Sequence, residues 1–381
     1  MSFLTFPRPF RDDHEMFRDT VRKFIADEIL PHHDQWERDH RVSREAWLKA
    51  GEMGLLLCAA PEAYGGLGGD FGHSAVIIEE LSRVNATGPG FPLHSDVVAP
   101  YLVNYGTEEQ KHEWLPKMAL GEVISAIAMT EPGAGSDLAA IKTTARRDGD
   151  DYIINGQKTF ITNGHNADLI ILVAKTTPDA GRKGVSLFLI DAKTPGFSRG
   201  RSIEKIGQQA QDTAELFFED VRVPASAMLG DKDRGFYLLM GELAQERLVI
   251  ALRAVATMEA MHAATLEYTR DRKVFGQSVF DFQTAKYRLA EAAAEIAMAR
   301  TYIDRCLEMH LNRALTPEQA ASAKLTSTEM QGRLLDVFLQ LHGGYGFTRE
   351  YAIGRAWTDA RVLRIYGGSS EIMREIISRK L

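Results

Sequence analysis

The amino-acid sequence predicts an α+β protein in which a helical domain, a β-domain and a second helical domain follow one another. Hydrophobic residues recur at helical spacing in the first and last parts of the chain. The middle part instead contains short apolar runs bounded by turn residues. With 381 residues, of which 45% are hydrophobic and 25% charged, the chain has enough material for two or three packed domains. We place these domains at residues 1–122, 123–232 and 233–381.

The first domain is predicted to consist of helices. Apolar residues of the first helix recur every three or four positions, at Phe17, Val21, Phe24, Ile25 and Leu30. Pro31 is expected to end this helix, because proline cannot donate the next backbone hydrogen bond. A second helix is expected to run from Ser43, a favourable N-cap, to Met53, where Gly54 ends it. Further helices are predicted near residues 74–82 and 108–119.

The middle domain is predicted to be a small β-barrel or sandwich. Residues 152–158 have the pattern of a strand, a turn and the start of a new strand. Short apolar or β-branched runs predict further strands at residues 169–173, 185–190 and 215–223. Because no helical pattern separates these strands, a parallel sheet is not expected.

The last domain is predicted to be a bundle of four helices. Amphipathic, alanine-rich patterns cover residues 239–270, 282–312, 317–341 and 351–364. The connections between them are short, which is typical of helices packed side by side.

Charge and composition exclude several classes of protein. A net charge of −7 and an isoelectric point near 5.9 argue against nucleic acid or an anionic membrane as a partner. The apolar runs are too short to predict a membrane span. Cys58 and Cys306 are too few for a disulfide scaffold, and no metal-binding motif is present, so we expect a reducing compartment and no metal. The N-terminus has no presequence pattern, which favours a bacterial-type cytoplasmic location, or the mitochondrial matrix if the chain is processed.

Residues 128–137 are dense in glycine, serine and threonine. Glycine lets the backbone approach a ligand closely, and short hydroxyl side chains donate to ring or phosphate oxygens. The segment is not a dinucleotide fingerprint, because Leu138 stands where the third glycine would be. The residues alone leave a plain turn and a ligand-binding loop equally open.

Three further segments have both a structural and a functional interpretation. Residues 340–346 are either a glycine C-cap and turn or backbone against which a cofactor packs. Residues 365–371 open the last helix, where Ser369 or Ser370 is either an N-cap or part of an anion or carbonyl site. The basic residues within 270–276 either complement a helix dipole or clamp a pyrophosphate.

Glu242 and Glu246 lie one helical turn apart, beside the apolar segment 248–252. A carboxylate that faces such a segment has its pKa raised toward neutrality, as a general base at pH 7 needs. The alternative is a surface glutamate paired with Arg247, and the local composition alone favours that alternative.

Together these segments resemble the acyl-CoA dehydrogenase family, over nearly the whole chain and in the family's order. Residues 130–137 are similar to its flavin signature, and residues 340–346 resemble its second signature. The resemblance implies the family's fold, an N-terminal all-α domain, a β-barrel-like middle domain and a C-terminal four-helix bundle. The match is closest to the long-chain branch, through residues 207–221, 224–227, 245–248 and 365–368.

The resemblance assigns the catalytic base to an unusual position. Most family members carry it directly after the tyrosine that corresponds to Tyr366, where this chain has Gly367. The long-chain and isovaleryl branches carry it on the first bundle helix in a Glu-Arg-Leu context, which Glu246 matches. Glu246 is therefore implied as the base, and the Gly367 amide as a donor to the substrate carbonyl. Ala244 departs from the pattern, since a proline is expected there, so the loop before the base is expected to differ.

The resemblance also implies which residues contact the ligands. Those near the flavin of FAD are Ile127, Met129, Thr130, Gly135, Ser136, Phe160, Ile161, Thr162, Ser369, Ser370 and Glu371. Those at its phosphate and adenosine end are Arg272, Phe275 and Gln283, with Gln340, Leu341, His342, Gly343 and Gly344 from a neighbouring subunit. Those that contact acyl-CoA are Ser136, Gly184, Val185, Tyr237, Ala244, Gln245, Arg247, Gly367 and Gly368.

The implied reaction is α,β-dehydrogenation of a long-chain or branched fatty acyl-CoA to the trans-2-enoyl-CoA. Hydride passes to flavin N5, and electrons pass on to an electron-transferring flavoprotein. A homotetramer is implied, because the FAD site draws on two subunits. Two alternatives stay open. One is a non-catalytic flavin-binding subunit, suggested by the missing carboxylate at position 367, and the other is an acyl-CoA oxidase that uses O2.

Overall fold

The computed structural model describes residue 4 and residues 6–381, which form three domains in the predicted order. The N-terminal domain is helical. Its helices are α1 (Asp12–Phe24), α2 (Leu30–Asp39), α3 (Arg44–Glu52), α4 (Phe71–Arg83), α5 (Ala99–Tyr105) and α6 (Glu108–Ala119). Trp47, Leu102 and Met118 are among the buried residues that form its core.

The prediction that Pro31 ends the first helix is wrong. A π-helical turn at Ile25–Ile29 joins α1 directly to α2, and the helical path continues to Asp39. In this turn the Leu30 amide donates to the Ile25 carbonyl, five residues back. The wider turn leaves room for the proline ring and moves Pro31 to the start of α2, where its missing N–H costs nothing.

The middle domain is an eight-stranded, mostly antiparallel sheet, which agrees with the predicted absence of a parallel βαβ arrangement. Its strands are β1 (Ser125–Ala128), β2 (Thr144–Asp148), β3 (Asp151–Thr162), β4 (Leu169–Lys175), β5 (Val185–Asp191), β6 (Phe197–Ser202), β7 (Thr213–Pro224) and β8 (Met228–Leu229). The order is β6-β7-β3-β2-β4-β5-β8, with β1 parallel to β4. The prediction of a turn within residues 152–158 is wrong. Strand β3 is continuous there, and its pairing with β7 shifts register beside Gly156 as a β-bulge.

The C-terminal domain is helical. Its helices are α7 (Gly235–Asp271), α8 (Gln283–Leu311), α9 (Pro317–His342), α10 (Ala352–Ala360) and α11 (Ser370–Ser378). The helix predicted over residues 351–364 is shorter than expected, because α10 ends at Ala360 and a 3₁₀ turn, Arg361–Arg364, follows. A hairpin of β9 (Lys273–Val274) and β10 (Gln277–Ser278) connects α7 to α8.

Helix α7 is the central element of the molecule. By length and composition it is apolar enough to cross a membrane, but 72% of its most apolar window is buried in the fold, which is typical of a core helix. It packs against α4 and α5 of the first domain and against α8 and α9 of its own domain. Its first residue, Gly235, lies against Ser186 of the sheet. Residues on α7 are therefore positioned by all three domains.

A buried charge network fixes the N-terminal domain on the C-terminal one. The Glu79 carboxylate of α4 accepts hydrogen bonds from Arg8 at 2.6 Å, Arg18 at 3.2 Å and Arg300 at 2.7 Å. Arg300 belongs to α8, so the network joins α8 to α1 and α4. The three guanidinium groups hold the pKa of Glu79 well below its usual range despite its full burial.

Candidate active site

The carboxyl group of Glu246 is buried where α7 faces α5. The phenolic hydroxyl of Tyr101 donates a hydrogen bond of 2.9 Å to Oε1. Oε2 accepts no hydrogen bond from any residue that the structure describes. Burial raises the pKa of Glu246 to about 7, with a further upward contribution from Glu242, whereas the Tyr101 bond lowers it. The alternative of a surface glutamate is therefore wrong, and the apolar context has the predicted effect.

Glu242 forms a second contact between the same two helices. It lies one turn before Glu246 and accepts a hydrogen bond of 2.9 Å from Asn104 Nδ2. Asn104 lies one turn after Tyr101, so two successive turns of α5 bond to two successive turns of α7. This pairing fixes the rotation of α7 at the level of Glu246.

Gly367 and Gly368 form a left-handed turn against α7. Their φ angles are +63° and +92°, which glycine adopts without strain. A Cβ atom on Gly367 would lie 2.5 Å from Ile250 Cδ1, and Ile250 is one turn after Glu246. The Gly367 amide donates to no acceptor among the described residues. The free amide of Gly367 thus lies beside Ile250 of α7, one helical turn from the buried carboxyl group of Glu246.

A small apolar cluster separates α7 from the segment that carries Gly367. Ile250, Ala254 and Leu363 are its buried members, and Val362 and Tyr366 pack against it. We call these five residues the spacer cluster. The Tyr366 hydroxyl also accepts a hydrogen bond of 3.3 Å from Arg253 Nη1. The turn is therefore held at its distance from α7 by side-chain packing.

Two buried cations lie beside this turn. Lys324 of α9 donates a hydrogen bond from Nζ to the Gly368 carbonyl. Arg247, only 4% exposed, makes no salt bridge with any described residue, and its Nε has no hydrogen-bond partner there. Burial and the nearby charge of Arg247 together lower the pKa of Lys324 to about 8. The site therefore carries positive charge that is not neutralised by direct contact with a carboxylate of any residue that the structure describes.

The glycine-rich loop after β1 is held by a buried ion pair. Lys158 of β3 donates to Glu131 Oε1 at 2.8 Å and to the Met129 carbonyl at 2.9 Å. The Glu131 carboxylate also accepts the backbone amides of Lys142 at 2.6 Å and Thr143 at 3.0 Å. Gly135 of this loop has open space on the side where a Cβ would point. A fixed loop with an open glycine face is suited to hold a planar ligand.

Phe160 lies next to this loop in an unusual conformation. Its φ is +58° and the residue is 64% exposed, although its neighbours Thr159 and Ile161 are buried. A bulky residue in the left-handed region costs free energy, and such residues cluster at binding sites. The ring presents a flat apolar surface, as expected for a residue that contacts the flavin.

The other predicted contacts include both buried and accessible positions. Ile161 and Val185 are buried in cores, and Ile127 and Met129 pack against one, so mainly their backbones are available to a ligand. The exposed or half-buried positions are Thr130, Ser136, Thr162, Tyr237, Ala244, Ser369 and Glu371, while Gly184 and Ser370 are buried.

Two predicted side chains are occupied within the protein. Gln245 bonds to the Asp96 carbonyl at 2.7 Å and to His310 at 2.9 Å, which directs it toward α8. Ser370 donates to Glu329 at 2.6 Å, and Ser369 is the N-cap residue of α11 without a capping side-chain bond.

The predicted residues of the phosphate and adenosine end lie at the far end of α7. Arg272 follows Glu246 by 26 residues, roughly 39 Å along the helix axis at ~1.5 Å per residue. The exposed residues Phe275 and Gln283 follow it, and the Arg272 guanidinium lies 5.7 Å from the ring centre of Tyr345. Gly343 caps α9 with a φ of +61°, as the C-cap interpretation predicts, in the segment that also contains Gln340, Leu341, His342 and Gly344. One chain alone does not bring this segment to Glu246.

Sequence reasoning missed Tyr101, Lys158 and Lys324. Lys158 lies between Gln157 and Thr159, at the start of a predicted strand, and no local pattern there indicates a buried charge. Tyr101 lies 145 positions before Glu246, and no local pattern connects the two. Lys324 lies in an amphipathic helical pattern, where a lysine normally faces solvent.

The structure also brings together a group that the sequence did not predict as a metal site. Asp13, His14 and His73 place potential ligand atoms within 4.8 Å of one another. Nδ1 of His14 accepts the Arg11 amide, and Nδ1 of His73 accepts the Asp70 amide, as parts of two capping boxes. Each neutral ring then carries its proton on Nε2. Helix capping accounts for both histidines.

Replacement of Gly367 by alanine is expected to lower turnover by about 10²-fold, because it displaces the amide that the family resemblance implies as the donor to the substrate carbonyl. The left-handed backbone costs alanine ~1–2 kcal/mol, and its Cβ collides with Ile250. The rate of flavin reduction by acyl-CoA measures this effect.

Gly149→Ala is the matched control, since Gly149 has the same φ of +63° in an exposed hairpin and nothing within 4 Å of its Cβ direction. Adding Ile250→Val to Gly367→Ala removes the colliding methyl group and should restore part of the rate. Equal rates for Gly367→Ala and Gly149→Ala would contradict this interpretation of the turn.

Three family models match the chain in the order of its domains. They describe the N-terminal domain of acyl-CoA dehydrogenase at residues 11–122, the middle domain at 126–221 and the C-terminal domain at 233–381. The fold and the site thus define a flavin-dependent dehydrogenase. The chain belongs to the acyl-CoA dehydrogenase family.

Similar proteins support this assignment along the whole chain. The mitochondrial long-chain specific acyl-CoA dehydrogenase of Sus scrofa is 50% identical over 376 residues, covering 98% of this chain and 87% of the relative. The crystal structure of an acyl-CoA dehydrogenase from Geobacillus kaustophilus has a TM-score of 0.97 and 50% identity, covering 98% of this chain and 99% of that one. An acyl-CoA dehydrogenase from Bacillus anthracis, solved with FAD, has a TM-score of 0.92 and 31% identity, covering 100% of this chain and 70% of that one. The family uses FAD, and FAD is the cofactor of this chain.

Proposed function

We propose that this enzyme dehydrogenates a long-chain or branched fatty acyl-CoA at its α,β-bond to give the trans-2-enoyl-CoA, with Glu246 as the base. The observation that carries the proposal is the arrangement on α7. Glu246 has one free oxygen and a pKa near 7, and the free amide of Gly367 packs one turn away. The two groups have the chemistry that removal of an α-proton from a thioester requires.

The residues around the glycine-rich loop fit FAD. Phe160 offers an exposed ring, Gly135 leaves an open face, and the Lys158–Glu131 pair fixes the loop between them. The exposed guanidinium of Arg272 is suited to bind the pyrophosphate of the cofactor. When bound, FAD supplies a hydride acceptor at N5 for the β-hydrogen of the substrate.

The protein's own part in the reaction is proton transfer and charge stabilisation. An α C–H beside a thioester is a very weak acid, so the carbonyl oxygen must be stabilised as the proton leaves. The Gly367 amide donates a hydrogen bond to that oxygen, a contribution of ~3–4 kcal/mol for a donor of this kind. Glu246 takes the proton on Oε2, and a pKa of about 7 leaves it half ionised at neutral pH and mostly ionised above pH 8. The positive charge of Arg247 and Lys324 stabilises negative charge that develops nearby.

The long-chain substrate class is supported by the relatives. The Sus scrofa relative is named as long-chain specific, and it shares half of its aligned residues with this chain. We further propose a homotetramer. The segment 340–344 lies beside Tyr268, far from Glu246 along α7, so a neighbouring subunit would supply it to the FAD site. An electron-transferring flavoprotein is proposed as the electron acceptor, in the bacterial cytoplasm or the mitochondrial matrix.

Anaerobic mixing of the FAD-loaded protein with a panel of acyl-CoA esters tests the proposed function. Straight-chain esters of increasing length and 2-methyl- or isovaleryl-type branched esters are compared by the rate at which the flavin absorbance is lost. We expect the fastest reduction with a long straight-chain or branched ester, and no hydrogen peroxide burst when air is admitted. No absorbance change with any ester would contradict the proposal, and rapid peroxide formation would favour an oxidase.

A further inference from the structure

Tyr101 is placed to act on the base from another domain. It lies on α5 of the N-terminal domain, is fully buried, and directs its hydroxyl to Glu246 Oε1 at 2.9 Å. Burial and the nearby carboxyl groups raise the pKa of Tyr101, so its hydroxyl keeps its proton and acts as a hydrogen-bond donor. Only one of the two carboxylate oxygens is held in this way.

The charged and titratable groups around Glu246 are few. Tyr101 faces it from α5, Glu242 and Arg247 flank it on α7, and Lys324 of α9 lies beyond Arg247. Among them, only Tyr101 makes a hydrogen bond to the carboxyl group. The other α5 contact, from Asn104, is made to Glu242.

We propose that Tyr101 is a positioning residue that holds Oε1 of Glu246 so that Oε2 faces the α-carbon of the substrate. The inference rests on the proposed function. A carboxylate on a helix has several rotamers, and a single strong donor at one oxygen selects one of them. The same bond stabilises the charged form of the carboxyl group, so it keeps the base ionised in an apolar setting. Orientation and ionisation of the base therefore depend on one hydroxyl group.

Replacement of Tyr101 by phenylalanine tests this role. Loss of a hydrogen bond to a charged group raises the pKa of Glu246 by about one unit. We expect the acid limb of the kcat/KM profile to move to higher pH by that amount, so that the rate at pH 6.5 falls by up to about tenfold. Tyr152→Phe, which removes a hydroxyl in the β-domain core, is the control whose profile should match that of the unaltered protein. An unmoved acid limb in Tyr101→Phe would overturn the proposal.

Two further measurements separate positioning from a general loss of structure. In the Glu246→Gln background, Tyr101→Phe should cause no further loss of rate, because Tyr101 acts through Glu246. An additional tenfold loss there would mean that Tyr101 acts elsewhere. An infrared titration follows the Glu246 carboxyl group without turnover, with its band assigned by its absence in Glu246→Gln. It should show the same upward shift in Tyr101→Phe. If no ester reduces the unaltered protein, the proposed function fails, whereas the titration still decides the role of Tyr101.

Discussion

Replacement of Glu246 by glutamine is expected to lower the rate of flavin reduction by acyl-CoA about 10²–10⁴-fold, the usual contribution of a positioned general base. The amide has the shape of the carboxylate and can still accept the Tyr101 hydrogen bond, so the pocket should stay intact. It cannot accept a proton, and the other groups that contact the reaction centre are unchanged. Stopped-flow absorbance at pH 8 measures the loss, with FAD content determined in parallel.

The same substitution is expected to stabilise the protein, which distinguishes loss of the base from damage to the fold. Burial raises the pKa of Glu246 from 4.5 to about 7. The cost of burying the charge is therefore absent below about pH 4.5, grows as the pH rises, and is complete above about pH 7. By linkage it reaches about 3 kcal/mol, so Glu246→Gln should gain stability at pH 8 but not at pH 4.5.

Urea unfolding at the two pH values measures this gain. Glu242→Gln is the matched control, since it alters a carboxyl group one turn away that bonds to Asn104, and its rate should change only a few-fold. A Glu246→Gln protein that reduces flavin at the unaltered rate would exclude Glu246 as the base. A protein that loses both activity and stability at pH 8 would assign the effect to misfolding.

Replacement of Lys158 by methionine is expected to destabilise the protein by about 3–5 kcal/mol and to release FAD, because it leaves the Glu131 carboxylate buried without its cation. The Glu131 carboxylate would keep only the Lys142 and Thr143 amides. The carbonyl of Met129 would lose its donor as well, so the loop that carries Gly135 would no longer be fixed. Thermal unfolding and the ratio of bound FAD to protein measure the two effects.

Lys142→Met is the control for Lys158→Met. It removes the same charge next to the same carboxylate, but Lys142 contacts Glu131 through its backbone amide and its side chain is exposed. Its melting temperature and FAD content should be those of the unaltered protein. Adding Glu131→Gln to Lys158→Met removes the unpaired charge, so this double variant should regain part of the stability lost in Lys158→Met. If Lys158→Met keeps its FAD and its melting temperature, the ion pair does not hold the loop.

The order of the domains was predictable because the period of apolar residues changes from 3.6 to 2 and back along the chain. The errors arose where irregular backbone resolves a conflict between neighbouring residues. At Pro31 a π-turn accommodates the proline, and at Gly156 a bulge takes the place of a turn. Both solutions depend on how the rest of the element packs, which a local pattern does not contain.

The candidate site was predictable only in part, for a related reason. The local composition around Glu246 favoured a surface glutamate, and the residue was identified as the base through its Glu-Arg-Leu context. Its raised pKa follows from its burial in the fold. Its partner Tyr101 comes from another domain, and the contact between α5 and α7 is set by tertiary packing. Lys324 was equally hidden, and the burial of Arg247 without a carboxylate partner was not predicted, because such buried cations are rare and no spacing indicates them.

Enzyme activity should be more sensitive than protein stability to substitutions in the spacer cluster. Ile250, Ala254 and Leu363 fill the gap between the helix that carries the base and the turn that carries the Gly367 amide. Swaps of similar volume there cost a protein little stability, but they move the two groups relative to each other. Substitutions at such positions lower turnover without lowering the amount of folded protein in the cell. A variant such as Ile250→Leu would accumulate normally while working poorly, so selection for activity acts on this cluster where selection for folding does not.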